Sequence, residues 1–139
     1  MGNCSRAQDK KKISNFTKLY PIGKSGFSTI WKVALIEKEK NQINNNKKNI
    51  FTMKIINKAK IFIKKLAKDI ETNRRLMEKL NHKLLCKMYY AFQDTENLYF
   101  VVEYFSGGDL RYLINRRNNF EEKETKFIIS CIAIIITKP

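Results

Sequence analysis

The sequence is poor in the residues that cross-link a chain or hold it in a membrane. Its three cysteines, Cys4, Cys86 and Cys131, include no C-x-x-C pair, and the chain has one histidine, so neither a disulfide framework nor a zinc site fits. The first 20 residues contain no apolar core, which excludes a secretory signal peptide. The longest apolar run, residues 127–136, is about half as long as a bilayer span. We therefore expect an intracellular protein in a reducing compartment.

Acidic residues are scarce in the first half of the chain. Residues 1–68 contain 17 Lys and Arg against 3 Asp and Glu, a balance of +14, whereas residues 69–139 contain 11 against 10, a balance of +1. This excess of positive charge predicts an anionic partner for the first half, such as a membrane surface, nucleotide phosphates or nucleic acid. The alternative is a solvated basic face without a partner.

The order of predicted elements indicates an α+β fold. Apolar and β-branched residues predict strands at 16–22, 29–36, 50–56, 84–92 and 98–104. A glycine-containing turn at 23–28 joins the first two strands, and residues 37–49 form a low-complexity polar loop. Helical spacing of Leu66, Ile70, Met77 and Leu80 predicts a helix within 64–80, and further helices are predicted at 109–114 and from about residue 120.

Five local motifs occur in the order and spacing of protein kinases. Residues 23–30 resemble the glycine-rich loop, Lys54 in Thr-Met-Lys resembles the ATP-binding lysine, and residues 98–104 resemble the strand that leads to the hinge. The segments Ala-Phe-Gln-Asp at 91–94 and Ser-Gly-Gly-Asp-Leu-Arg-Tyr at 106–112 resemble the AGC group, and most of all its N-terminally acylated YANK-type members. The resemblance covers residues 16–136.

The resemblance implies a fold and its boundaries. Residues 16–105 would form the kinase small lobe, a five-stranded antiparallel sheet with one packed helix. Residues 106–139 would form the hinge and the first helices of a truncated large lobe, and residues 1–15 a flexible basic leader.

The resemblance also implies phosphate contacts for ATP. Backbone N–H groups of a glycine-rich turn can approach phosphates closely because glycine has no side chain. Lys54 would pair with the α- and β-phosphates, although a surface lysine is the alternative. The turn residues implied in this site are Gly23, Lys24, Ser25, Gly26, Phe27 and Ser28.

The adenosine end of the site follows from the same resemblance. Ile22, Ile30 and Val102 would wall the adenine pocket, with plain core packing as the alternative or additional role. The backbone of Glu103 and Phe105 would hydrogen-bond the adenine edge, and Asp109 would accept hydrogen bonds from the ribose hydroxyls.

Three departures from the family pattern bear on activity. Ser25 and Ser28 stand where glycine is usual, which restricts the backbone and adds bulk. Asn73 occupies the position of the glutamate that pairs with the lysine, and its spacing from Ile70 and Met77 predicts that it faces inward. An offset of the alignment by a gap is the alternative to this assignment. Glu71 would point elsewhere, since two residues turn a helix by about 200°.

The sequence contains neither the H-R-D-x-x-x-x-N motif, which supplies the catalytic Asp and a magnesium-binding Asn, nor the D-F-G magnesium ligand. We expect a truncated copy that is inactive alone, without magnesium ligands of its own. The helix from about residue 120, which packs inside the large lobe in the family, would expose its isoleucines, so we expect poor solubility.

The leader begins Met-Gly-Asn-Cys-Ser-Arg and predicts lipidation. Myristoylation at Gly2 and palmitoylation at Cys4, or the basic residues nearby, would together give stable attachment to an anionic membrane, although Arg6 departs from the usual Ser or Thr. An ordinary N-terminus is the alternative. We expect a cytoplasmic, membrane-associated protein.

Three hypotheses of function remain. The first is an ATP-dependent protein serine/threonine kinase, a specificity that rests on the resemblance alone. The second is a membrane-tethered, non-catalytic interaction module with a degenerate nucleotide pocket. The third, a basic nucleic-acid binder, has only the charge in its favour, so we expect no specific nucleic-acid partner.

Overall fold

A computed structural model describes residues 11–36, 49–117 and 119–137. The predictions for Gly2, Cys4 and most of the polar loop lie outside the described residues. A 3-10 turn covers Ile13–Asn15, within the segment predicted as leader, and Ile13 packs against the core.

The described chain contains five strands and four α-helices. In chain order they are β1 (Phe16–Lys24), β2 (Ser28–Leu35), β3 (Ile50–Asn57), α1 (Lys58–Ile63), α2 (Ala67–Lys79), β4 (Met88–Gln93), β5 (Asn97–Glu103), α3 (Leu110–Arg117) and α4 (Glu122–Thr137). No helix in the described ranges is long and apolar enough to cross a membrane.

The strands form one antiparallel sheet in the order β1-β2-β3-β5-β4. This architecture confirms the α+β fold and the five-stranded sheet predicted from the sequence. The turn between β1 and β2 is shorter than predicted, because pairing of the two strands continues to Lys24 and Thr29 and β2 begins at Ser28, so that only residues 25–27 form the turn. Residues 84–87 lie outside β4, which begins at Met88.

The two faces of the sheet carry separate cores, because successive side chains of a strand point to opposite faces. On one face the buried residues are Phe16, Val33, Met53, Tyr99 and Val101. On the other face Ile56 and Phe100 pack with Ile61 of α1 and Ile70 of α2. Helices α1 and α2 therefore lie on the second face, which is also the face of Lys54.

The short helix α1 was missed by the sequence analysis. Its first turn is capped by the Asn57 side chain, whose Oδ1 accepts the Lys60 N–H at 3.1 Å. At its end the Leu66 N–H donates to the Ile61 carbonyl and the Lys65 N–H to the Phe62 carbonyl, both at 3.1 Å. These two bonds and a φ of 54° at Lys65 make a Schellman motif with lysine at the position that glycine usually takes.

Helix α2 packs by the predicted stripe, and α4 is exposed as predicted. Ile70 is buried and Met77 half-buried, whereas Leu80 lies just beyond the end of α2 and is exposed. No residue in the described part of α4 is buried, and Phe127 and Ile136 are 70% and 76% exposed.

Candidate nucleotide-binding site

The sheet places Lys54 in a row of paired residues. Lys54 on β3 lies opposite Ile30 on β2 and opposite Phe100 on β5. Directly paired residues project to the same face, so Ile30 and Lys54 share the face on which α2 packs. Val102 lies two residues from Phe100 and therefore projects to this face as well, and all three of Ile30, Lys54 and Val102 are half-buried.

The turn between β1 and β2 is closed by its two serines, a pair that we call the serine clasp. The Ser25 and Ser28 hydroxyl oxygens lie 2.7 Å apart, and the Ser28 N–H donates to the Ser25 hydroxyl at 3.2 Å. The Ser25 N–H donates to the Ser28 carbonyl at 2.8 Å. Ser28 is 5% exposed. Both serine N–H groups are therefore engaged within the turn.

The tip of this turn is anchored to the helical core. The Phe27 side chain packs against the cluster that contains Ile56 and Ile61, and the Phe27 carbonyl accepts the Asn57 N–H at 3.1 Å. The Lys64 ammonium lies 5.8 Å from the centre of the Phe27 ring. A Cβ atom at Gly26 would lie 3.3 Å from the Lys64 Nζ atom, which leaves little space there. The position of the turn therefore depends on α1 as well as on β1 and β2.

Ile22 and Gly23 lie where the register of β1 shifts. Gly23 pairs with Ile30, while Ile22 lies in the irregularity between Pro21 and Gly23 and is 48% exposed. A Cβ atom at Gly23 would lie 3.8 Å from the Ile30 side chain, an ordinary contact. The predicted adenine-wall residues Ile22 and Ile30 are therefore brought to neighbouring positions by this strand pair. Lys24 is exposed at the end of β1.

A lysine between two tyrosines lies at the other end of the site, and the sequence analysis missed it. The Lys32 Nζ donates to the Tyr20 hydroxyl at 3.1 Å and lies 4.4 Å from the centre of the Tyr104 ring. The two hydroxyls are 3.3 Å apart. Hydrogen bonds from Tyr104 and Lys32 lower the pKa of Tyr20, and the tyrosine hydroxyls raise the pKa of Lys32. This cluster joins β1 and β2 to the segment that follows β5.

The segment after β5 leads from Glu103 to the start of α3. The Glu103 N–H donates to the Lys87 carbonyl at 2.9 Å, and Phe105 is 57% exposed. Asp109 caps α3, because its Oδ1 accepts the Tyr112 N–H at 2.7 Å. Gly108 has a φ of 80°, and a Cβ atom there would lie 3.2 Å from the Tyr112 ring. Both features favour glycine at this position.

Comparison with known proteins identifies the fold. The model of the protein kinase domain family matches residues 17–136, which is most of the chain. The chain belongs to the protein kinase domain family.

Curated relatives of this kinase domain show which kinases the chain resembles. The chain is 32% identical over 117 residues to the serine/threonine-protein kinase Warts of Drosophila melanogaster, covering 84% of this chain and 10% of the relative. It is 30% identical over 124 residues to the serine/threonine-protein kinase tricornered of the same organism, covering 89% and 25%, respectively. It is 32% identical over 127 residues to 3-phosphoinositide-dependent protein kinase B of Dictyostelium discoideum, covering 91% and 13%.

These relatives confirm the AGC-group resemblance, whereas the YANK-type likeness stays a prediction. The chain spans a quarter or less of the length of each of the three relatives.

The kinase helix α2 differs from the prediction at Asn73. Asn73 is exposed rather than turned inward, because the face that packs on the sheet is centred on Ile70 and Met77 and Asn73 lies at its edge. Among the described residues no hydrogen bond or ion pair joins Lys54 to a carboxylate. The Glu71 carboxylate oxygens accept from Arg74 and Arg75 at 2.9 Å.

These ion pairs change the pKa of Glu71 in α2. Hydrogen bonds from Arg74, and then from Arg75, lower the pKa of Glu71 to about 2. Glu71 and Arg74 line a groove of about 540 Å³ between the two helices and β4, with Ile61, Phe62 and Phe92 among its other walls. Glu71, the acidic residue nearest to Asn73 in the sequence, is therefore paired with arginines on the side of α2 that lines this groove.

The described residues fit a nucleotide in part. The face of Lys54 offers a cation without a carboxylate partner among the described residues, and Gly23 leaves room for a close approach. The serine clasp opposes the fit, because it uses the Ser28 N–H that an unblocked turn would present. Within the described ranges no three His, Cys, Asp or Glu side chains come together at a distance suited to a metal ion.

Proposed function

We propose that this chain is the ATP-binding lobe of a protein serine/threonine kinase. The observation that carries the proposal is the row of Ile30, Lys54 and Phe100 on one sheet face, beside Gly23 near the end of β1 and the turn that contains Gly26. A half-buried lysine on a central strand holds its charge in a fixed position, as recognition of phosphate requires. The family match and the names of the relatives support phosphoryl transfer to serine or threonine.

Each part of ATP has its own residues in this proposal. Lys54 and the N–H groups of the turn hold the phosphates, while Ile22, Ile30 and Val102 enclose the adenine. The Glu103 carbonyl and the Phe105 N–H bind the adenine edge. The second carboxylate oxygen of Asp109 accepts from the ribose, since its Oδ1 caps α3. ATP supplies the phosphoryl group, and the two motifs that hold magnesium in the family do not occur in this sequence.

The test is ATP binding by the 139-residue chain, measured by thermal shift and calorimetry with and without magnesium. Lys54→Met should weaken binding by about tenfold or more, because a hydrogen bond to a charged group contributes about 1.5–3 kcal/mol. Lys79→Met, on the exposed last turn of α2, is the matched control and should bind as the unchanged chain does. Equal affinity of the Lys54→Met variant would refute the proposed role.

A second function is a non-catalytic interaction module, and two observations favour it. The serine clasp engages the N–H groups of Ser25 and Ser28. No described carboxylate pairs with Lys54, and the family resemblance assigns the position of the pairing glutamate to Asn73. Such a module can keep affinity for nucleotide, so an ATP-dependent thermal shift does not by itself distinguish it from a kinase. Asn73→Glu distinguishes the two, because a working pocket should gain ATP affinity from a carboxylate that orients Lys54, whereas a module should not respond.

The proposal extends to the leader and to the cellular location. Gly2 would carry a myristoyl group and Cys4 a palmitoyl group, which together hold a protein on a membrane more firmly than one chain does. The kinase would then work in the cytoplasm at an anionic membrane. Metabolic labelling with a myristate analogue tests this, and the label should disappear in Gly2→Ala. No label on the unchanged protein would end the idea.

A further inference from the structure

We propose that the corner formed by α1 and the start of α2 docks directly on an anionic lipid bilayer. This lysine corner comprises residues 58–69. At its tip Phe62 and Ile63 are 85% and 77% exposed, the two highest values among the exposed large apolar residues. The contact is separate from the leader and is inferred independently of the proposed nucleotide binding.

The fold holds these two side chains outward. The Schellman motif turns the chain sharply after Ile63, so that Ile61 and Leu66 on either side of the tip pack into the core. Ile61 is 5% exposed, although it precedes Phe62 directly. A left-handed lysine at position 65 maintains this turn at a cost in backbone energy. Phe62 and Ile63 are therefore displayed on an ordered segment.

The charge around the tip favours an anionic surface. The lysine corner contains five lysines and one acid, Asp69, for a balance of +4. Lys60, Lys64, Lys65 and Lys68 are exposed. Basic residues near an anionic leaflet each strengthen binding, and apolar side chains beside them enter the interfacial region.

The two exposed apolar side chains favour a bilayer over other polyanions. A nucleic acid or an acidic protein segment would neutralise the lysines but would not need an aromatic and an aliphatic side chain beside them. A bilayer accepts protruding apolar side chains without a preformed groove and keeps the lysine ammonium groups at the headgroups. Phe62 and Ile63 are thus explained by lipid and not by phosphate alone.

The experiment uses the full chain made without acyl groups and mixed with vesicles of phosphatidylcholine alone or with phosphatidylserine. We expect binding to the anionic vesicles that falls as salt is raised. Phe62→Ser/Ile63→Ser should weaken it by about tenfold through lost apolar burial. Lys60→Gln/Lys65→Gln should weaken it by about fivefold for each lysine removed. The melting temperature of Phe62→Ser/Ile63→Ser should match that of the unchanged chain, because both side chains are exposed.

Matched controls lie outside the lysine corner. Leu84→Ser removes an apolar side chain that is 45% exposed, and Lys123→Gln/Lys126→Gln removes two lysines of α4, so neither should alter binding. A Phe62→Trp variant should be quenched by brominated lipid well beyond the level set by Trp31.

Three results would overturn the proposal. The first is unchanged binding of Phe62→Ser/Ile63→Ser. The second is that brominated lipid quenches the Phe62→Trp variant no more than the unchanged chain. The third is that the lysine variants weaken binding to vesicles and to a DNA duplex alike while the apolar variants change neither.

Discussion

Removal of the Ser25 hydroxyl should lower the stability of the lobe and raise its affinity for ATP. In Ser25→Ala the Ser28 hydroxyl loses a partner at 2.7 Å and the Ser28 N–H loses one at 3.2 Å, at a position that is 5% exposed. A net hydrogen bond is worth about 1 kcal/mol, and a buried group left unpaired costs about as much again. We therefore expect a loss of about 2 kcal/mol in the free energy of unfolding.

The gain in affinity has the same origin. In the unchanged chain, a phosphate that needs the Ser28 N–H must first displace the Ser25 hydroxyl. Without the clasp this cost disappears, and a gain of about 1.4 kcal/mol corresponds to a tenfold tighter dissociation constant. The two effects have opposite signs, which ordinary damage to the fold would not produce.

The assay pairs thermal unfolding with ATP titration for three variants. Ser25→Ala should melt about 5–10 °C lower and bind ATP about tenfold more tightly. Ser25→Thr keeps a hydroxyl and should restore both values toward those of the unchanged chain. Ser14→Ala, an exposed serine before β1, is the control. A Ser25→Ala variant with unchanged affinity would show that nucleotide binding leaves the clasp closed, and weaker affinity would show that the hydroxyl contacts the nucleotide; either result refutes the reasoning.

Three further predictions follow from the helices. Lys65→Gly should raise the free energy of unfolding by about 0.5–1 kcal/mol in denaturant titrations, because glycine tolerates the φ of 54°, whereas Lys68→Gly within α2 should lower it. The pKa of Glu71 is lowered from 4.5 to about 2, so its stabilisation is present above pH 4.5 and is lost as the pH falls toward 2; in melts across that window Glu71→Gln should lose less stability than the unchanged chain. The chain should elute from a sizing column as self-associated species, and Phe127→Ser/Ile136→Ser should shift it toward monomer; a clean monomer of the unchanged chain would contradict the exposure of α4.

The sheet could be predicted from the sequence, and its details could not. Runs of β-branched and aromatic residues such as 98–104 predict strands whichever strands they pair with. The spacing of the motifs predicts the order of the strands along the chain. Helix α1 was missed because Lys-Ala-Lys-Ile-Phe-Ile is too short to show a helical period. Asn73 was predicted to face inward because the apolar stripe fixes the direction of a helix face only to within about half a turn. The packing of Ile70 against the sheet decides the exact rotation of the helix. The serine clasp depends on the geometry of a three-residue turn, which residue types alone do not specify.

The site is coupled to the helices through Phe27 rather than through Lys54. In this lobe no described carboxylate connects α2 to Lys54, so movement of the helix has no direct ionic route to the nucleotide face. The Phe27 ring, however, packs on the core shared by Ile61 and Ile70, and the Phe27 carbonyl accepts the Asn57 N–H just before α1. A displacement of α1 would therefore move the turn that is expected to hold the phosphates. Phe62 and Ile63 of the lysine corner lie next to Ile61 in the same helix. A bilayer that binds these two side chains would therefore act on α1, whose core contacts with Phe27 fix the position of the turn.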